Sequence, residues 1–137
     1  MPEQEILLSD QEVFKATQSC IDAWNSLDVE AVLATYTDDI VYRDSGTRGT
    51  IVGKDKLRRY LTSFMKAWDM QFRVLEDRRI ADSNAQVCIW EVSIRRRSTP
   101  KGAVVTQIGI DIIHVRGRQL SRDEAFMDRV AMTNVFG

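Results

Sequence analysis

The sequence predicts an α+β fold in which helices come first and long antiparallel strands follow. Three observations carry this. Up to about residue 67 the apolar side chains recur mainly at helical spacing. From Met70 onward they alternate in long runs bounded by turn residues. Proline is confined to Pro2 and Pro100, so nothing resembling a linker divides the 137 residues, and one domain over 1–137 is expected.

Each element has its own local reason. Ser9 and Glu12 match a capping box and start the first helix, which turns Val13, Ala16 or Thr17, Cys20, Ile21 and Trp24 inward. The stretch Asn25-Ser26-Leu27-Asp28 breaks that pattern. Asp28 then caps a short second helix carrying Val29, Val32, Leu33 and Tyr36 inward. Asp38-Asp39 makes a turn into a strand over 40–44, with Ile40, Tyr42 and Asp44 on one face. A loop over 45–49 leads to a third helix over 54–67, whose apolar side is Leu57, Tyr60, Leu61, Phe64 and Met65. Strands follow at 70–76, 79–81, 85–96, 103–115 and from 119 to about 127. Asp82-Ser83-Asn84, residues 98–102 and Arg116-Gly117-Arg118 turn the chain between them.

Composition narrows the classes of partner. The 44% hydrophobic and 28% charged residues are ordinary for a soluble globular chain, and a cytoplasmic protein is expected. The net charge of −1 offers no basic face for nucleic acid. No apolar run approaches the roughly 20 residues of a membrane helix, and the acidic opening MPEQEILLSDQE lacks the layout of a signal peptide. Cys20 and Cys88 both lie in apolar patterns and read as buried free thiols.

Three stretches carry a resemblance: AWNSLDVEAVLATYTDDIVYRDSG at 23–46, IVGKDKLRRYLTSF at 51–64 and GIDIIHVRGRQLSRDEAFMDR at 109–129. Together they resemble the nuclear transport factor 2-like superfamily, in its SnoaL-like and ketosteroid isomerase-like branch. The resemblance implies a cone of three N-terminal helices on a strongly curved, mostly antiparallel sheet that encloses a pocket. It places Asp44 where ketosteroid isomerases carry their general base and Asp111 where they carry the aspartic acid of the oxyanion hole. It sets Trp90 and Val92 on the pocket face of the long strand and Phe126 near the far wall. The family's oxyanion-hole tyrosine position is Cys20 here, and a thiol is a weak donor. The polyketide-cyclase members carry an acid on the last strand, which register makes Glu124 or Ala125.

If the fold that the resemblance implies brings Asp44 and Asp111 to one pocket, the two carboxylates can split roles as the ketosteroid isomerase pair does. Asp44 sits beside a turn, wet enough to stay anionic and act as a base. Asp111 lies among Ile110, Ile112 and Ile113, dry enough to stay neutral and donate a hydrogen bond. Such a pair fits proton abstraction beside a carbonyl with stabilisation of the enolate. Read as plain structure, Asp44 caps a turn and Asp111 is a buried acid satisfied by its neighbours. Tyr42 and Tyr60 are candidates for the hydroxyl that Cys20 lacks. Trp24, Phe64, Met65, Trp68 and Trp90 would form an apolar wall suited to a hydrophobic small molecule. Arg122, Glu124, Phe126 and Asp128 share one face of the last strand, so Arg122 and Glu124 either enter the pocket or form an ion pair at the sheet edge. Arg95-Arg96-Arg97 runs into a loop, as a solvated hairpin end or a patch for an anionic substrate. No metal or organic cofactor is implied: one histidine and no cysteine pair at ligand spacing argue against zinc.

Strand alternation puts His114 on the opposite face from Asp111, so it is not expected to be the base. That opposite face carries Ile108, Ile110 and Ile112. A bare apolar stripe needs a cover, and a homodimer through Ile108, Ile110, Ile112 and His114 is expected, with a C-terminal tail folding over them as the alternative.

Overall fold

The computed structural model describes residues 5–136. Residues 1–4, which open the acidic N-terminal stretch, and Gly137 lie outside the described residues. The elements are α1 (Asp10–Asn25), α2 (Val29–Ala34), β1 (Tyr36–Arg43), β2 (Ile51–Val52), α3 (Lys54–Ala67), β3 (Trp68–Ile80), β4 (Ala85–Arg96), β5 (Val104–Arg116), β6 (Gln119–Phe126) and α4 (Arg129–Phe136). The six strands form one sheet in the order β2-β1-β6-β5-β4-β3. Every pairing is antiparallel except β1 with β6. Among the described residues no helix is long and apolar enough to cross a membrane.

The helix starts follow the capping chemistry of the sequence. The Ser9 hydroxyl accepts from the Glu12 amide at 3.1 Å, and the Glu12 carboxylate accepts from the Ser9 amide at 3.1 Å. Asp28 accepts from the Ala31 amide at the start of α2. The end of α1 is tied to the sheet by Asn25, whose side chain bonds both the amide and the carbonyl of Phe72. Val13, Cys20, Ile21 and Trp24 of α1, Leu33 of α2 and Leu57 and Leu61 of α3 are buried between helices and sheet. Each such aliphatic side chain contributes roughly 1.5–3 kcal/mol by leaving water.

Four features depart from the expected elements. β1 begins at Tyr36, so Tyr36 is a strand residue rather than the end of α2, and Asp38-Asp39 lies within the strand at a register shift between Tyr36 and Val41. β3 is one strand where two were expected, because a bulge between Val74 and Glu76 absorbs the charged break. A second bulge, between His114 and Val115 on the β6 pairing, makes Val115 face Leu120 and His114 face Arg122. The chain also ends in a fourth helix, α4, which none of the three expected helices covers. Asp128 caps it, accepting from the amides of Val130 and Ala131. α4 does not fold over the isoleucine stripe. Met132 and Phe136 turn toward the core from the cavity side.

Candidate functional site

The inner face of the sheet is set by alternation. β4 buries Gln86, Cys88, Trp90, Val92 and Ile94, and β5 buries Val105, Asp111, Ile113 and Val115. His114 and the isoleucines at 108, 110 and 112 point to the other face, as the alternation requires. Between the inner face and the helices lies a cavity of about 490 Å³, within the range of small-molecule sites. Trp24, Tyr42, Tyr60, Phe64 and Trp90 line it, together with Asp44 and Asp111. Two carboxylates far apart in sequence thus reach one cavity, and a third, Asp123, joins them.

Asp123 is the residue that sequence reasoning missed. Without the β6 bulge, alternation from the buried Leu120 would send Arg122, Glu124 and Phe126 inward. One extra residue at Ser121 inverts that parity, and Asp123 and Ala125 line the cavity instead. Arg122, Glu124 and Phe126 therefore stand on the outer face. There Glu124 pairs with Arg122 at 2.8 Å and with Arg43 at 3.6 Å, and the Arg43 guanidinium lies 5.5 Å from the Phe126 ring centre. Cys20, Val92 and Met65 are corrected as well. All three are buried in the core but do not line the cavity.

Asp111 and Asp123 sit on neighbouring strands, with Asp111 opposite Ala125 and Asp123 opposite Ile113, which makes them diagonal neighbours on one face. Both are buried, at 8% and 3% exposure. Each has one neutral donor. The Trp90 indole donates to Asp111 Oδ1 at 3.0 Å, and the Tyr36 hydroxyl donates to Asp123 Oδ2 at 2.5 Å while accepting from Trp24 Nε1 at 3.1 Å. Asp123 Oδ1 is buried and has no hydrogen-bond partner among the described residues. Burial, and then the charge of Asp123, hold the Asp111 carboxyl well above the usual carboxylate range. Burial also raises Asp123, while the hydrogen bonds from Asp111 and Tyr36 pull it back down. Both carboxyls are thus held above the usual carboxylate range, chiefly by burial, and their titrations belong to the pair.

Asp44 is built differently. Its carboxylate accepts from the amides of Gly46 at 2.7 Å and Thr47 at 3.1 Å, which is the turn chemistry its sequence suggested. It also accepts from the Tyr42 hydroxyl at 2.6 Å and from the Tyr60 hydroxyl at 2.8 Å. The absence of a side chain at Gly46 admits Tyr60, since a Cβ there would stand 3.2 Å from the tyrosine oxygen. Burial and the Asp44 charge raise both phenols, so they stay protonated donors. The hydroxyls sought for the Cys20 position are thus committed to Asp44, and the tyrosine that serves the dyad is Tyr36. Burial raises the Cys20 thiol as well, which keeps it neutral beneath Tyr36. Among the described residues no group of three His, Cys, Asp or Glu side chains is gathered to hold a metal ion.

A cone of helices closing a curved sheet around one cavity is the nuclear transport factor 2-like fold. The chain belongs to the SnoaL-like domain family of that superfamily, whose model matches residues 17–122. Its structure is similar to that of a suggested isomerase from Bacillus subtilis, with a TM-score of 0.83 at 17% identity over 96% of each chain. It is also similar to a suggested polyketide cyclase from Xanthomonas campestris pv. campestris, with a TM-score of 0.79 at 16% identity over 93% of this chain and 98% of that one. An LEH-like epoxide hydrolase from M. tuberculosis matches with a TM-score of 0.73 at 17% identity, covering 90% of this chain and 88% of its own. No curated protein sequence matches the chain.

Proposed function

We propose that this protein is a small enzyme performing acid–base chemistry, isomerase- or cyclase-like, on an apolar carbonyl compound such as a steroid-like or polyketide-like molecule. The observation that carries the reading is the buried Asp111–Asp123 pair on the wall of an aromatic cavity, where burial raises the Asp111 carboxyl and so favours its neutral form. A neutral acid in a dry site can donate to a carbonyl oxygen and stabilise the charge that develops there. Asp44, in the same cavity, takes the role of base. All its lone pairs are engaged, so the substrate must displace one donor, and Tyr60 is the more exposed of the two tyrosines. That engagement is also what favours a second reading, a binding domain for a hydrophobic small molecule with Asp44 as a structural clamp.

Solvent-deuterium exchange into β-tetralone, followed by NMR, separates the two. The enzyme accelerates exchange next to the carbonyl, and Asp44→Asn and Asp111→Asn each lower the rate by about 100-fold or more while the fold persists. Exchange unaffected by either substitution would leave the binding domain.

We also propose that the protein is a homodimer through the outer face of β5. Ile108 is 61% exposed there, Val104 and Phe126 are exposed beside it, and Ile110 and Ile112 are half-buried. His114 marks the stripe's end, bonded to Ser121 at 2.9 Å and to Glu5 at 3.3 Å. Ile108→Glu is expected to convert dimer to monomer in sedimentation velocity. A wild-type monomer at micromolar concentration would end the idea.

A further inference from the structure

Of the three consecutive arginines, alternation turns only the middle one inward. Arg95 faces out and donates to the Pro100 carbonyl at 2.8 Å, and Arg97 is exposed beyond the end of β4. Arg96 continues the inner row of Trp90, Val92 and Ile94 and lines the cavity. It is half-buried, wedged between two rings, with its guanidinium carbon 5.6 Å from the Trp68 centre and 5.6 Å from the Phe136 centre. The two rings pack edge to face at 5.0 Å. One nitrogen donates to the Phe136 carbonyl at 2.7 Å. Among the described residues no carboxylate pairs with it, whereas Arg43, Arg58, Arg73, Arg79, Arg116 and Arg122 each have one. A guanidinium has five N–H groups in a fixed fork. Among the described residues only the bond to the Phe136 carbonyl is spent, and the guanidinium lies against two aromatic rings.

We propose that Arg96 is a recognition site for a carboxylate on the ligand, so that the substrate is an apolar molecule bearing an acid at one end. The cavity has the polarity for this. Its acids, Asp111 and Asp123, are buried at its sheet wall, and a third, Asp44, lies by the α3 side under Tyr60. Its cations, Arg96 and the exposed Arg129, stand with α4 and the half-buried end of β4. An anionic end is repelled by the three aspartates and attracted by Arg96. The apolar body then spans the aromatic walls, and the reacting end is directed toward Asp111. Arg95 and Arg97, on the other side of the strand and in the loop, take no part.

The inference rests on the cavity being the ligand site, which the enzyme and binding readings share. Calorimetric titration of the full chain with 2-naphthoate and with its neutral methyl ester tests it. The wild type is expected to prefer the acid by about tenfold or more at low salt. Arg96→Met keeps the apolar stem, so it should lose that preference with ester affinity nearly unchanged. Arg96→Lys should recover part of it. An arginine that merely pins α4 would, on removal, weaken acid and ester alike, and that result would overturn the proposal. So would equal binding of the two probes by the wild type, a preference that survives Arg96→Met, or no saturable binding of the acid at millimolar concentration. Loss of tetralone exchange in Asp111→Asn with the acid preference intact would separate this site from the acid–base reading. Absence of exchange in the wild type with the preference present would overturn the enzyme alone.

Discussion

Asp111→Asn is expected to make the protein more stable above neutral pH while removing its acid chemistry. A carboxyl whose folded pKa stands above its unfolded value binds its proton more tightly when folded. Its contribution is whole below the unfolded value of about 4 and is lost as pH rises through the folded value. Asp111 and Asp123 are both raised, chiefly by burial, so both act in this direction. Wild-type stability should therefore decline from about pH 4 upward until the pair has titrated. An asparagine keeps the geometry. Its carbonyl can accept from Trp90, and its amide can donate to the orphaned Asp123 Oδ1. It removes one of the two titrations. A gain in stability near pH 8, absent near pH 4, is therefore expected. Urea unfolding across that pH range checks it. Parallel pH profiles for wild type and variant would mean that Asp111 is ionised and satisfied, and the proton at the centre of the proposed chemistry would be absent.

The sequence disclosed the parts of this fold that are local. Ser9 with Glu12 and Asp28 with Ala31 are capping signals within one turn, and α1 and α2 begin where they indicate. The strands at 85–96 and 103–115 were legible because each alternates over its whole length, and that alternation alone separated Asp111 from His114. The errors lie where a single residue changes the parity. The bulge at Ser121 has no glycine to announce it, and it exchanges Asp123 and Ala125 for Arg122, Glu124 and Phe126 at the cavity. The bulge before Glu76 likewise hid the continuity of β3. Tyr36 was read as helical because its spacing from Val32 and Leu33 fits a helix. Its hydroxyl matters only through Asp123, a partner that tertiary structure supplies. α4 was missed although Asp128 is a capping residue directly before an apolar stretch, a signal of the same kind as Asp28.

The second large effect concerns Gly109, in the same strand as Asp111. Gly109 lies opposite Trp90 in the β4–β5 register. A Cβ built there would overlap the six-membered ring of Trp90 and come within 2.8 Å of the Phe126 carbonyl oxygen, which is backbone and cannot swing aside. The residue is glycine for room, not for an unusual backbone angle, since its φ is not among the positive ones. In an ordinary strand, replacing glycine by alanine is worth up to about 1 kcal/mol of stabilisation. Here overpacking dominates, and Gly109→Ala is expected to destabilise by roughly 2–4 kcal/mol in urea unfolding. The site should suffer with the fold. The displaced indole is the one that donates to Asp111 and packs edge to face on Phe72 at 5.1 Å. A double-mutant cycle isolates the cause, because Trp90→Phe shortens the ring that collides. In that background Gly109→Ala should lose much of its penalty, giving a coupling of about 1–3 kcal/mol. A full penalty in both backgrounds would assign the strain to the Phe126 carbonyl instead. An alanine tolerated without loss would mean that the indole has a second resting place, and then Trp90 would not be the fixed donor that orients Asp111.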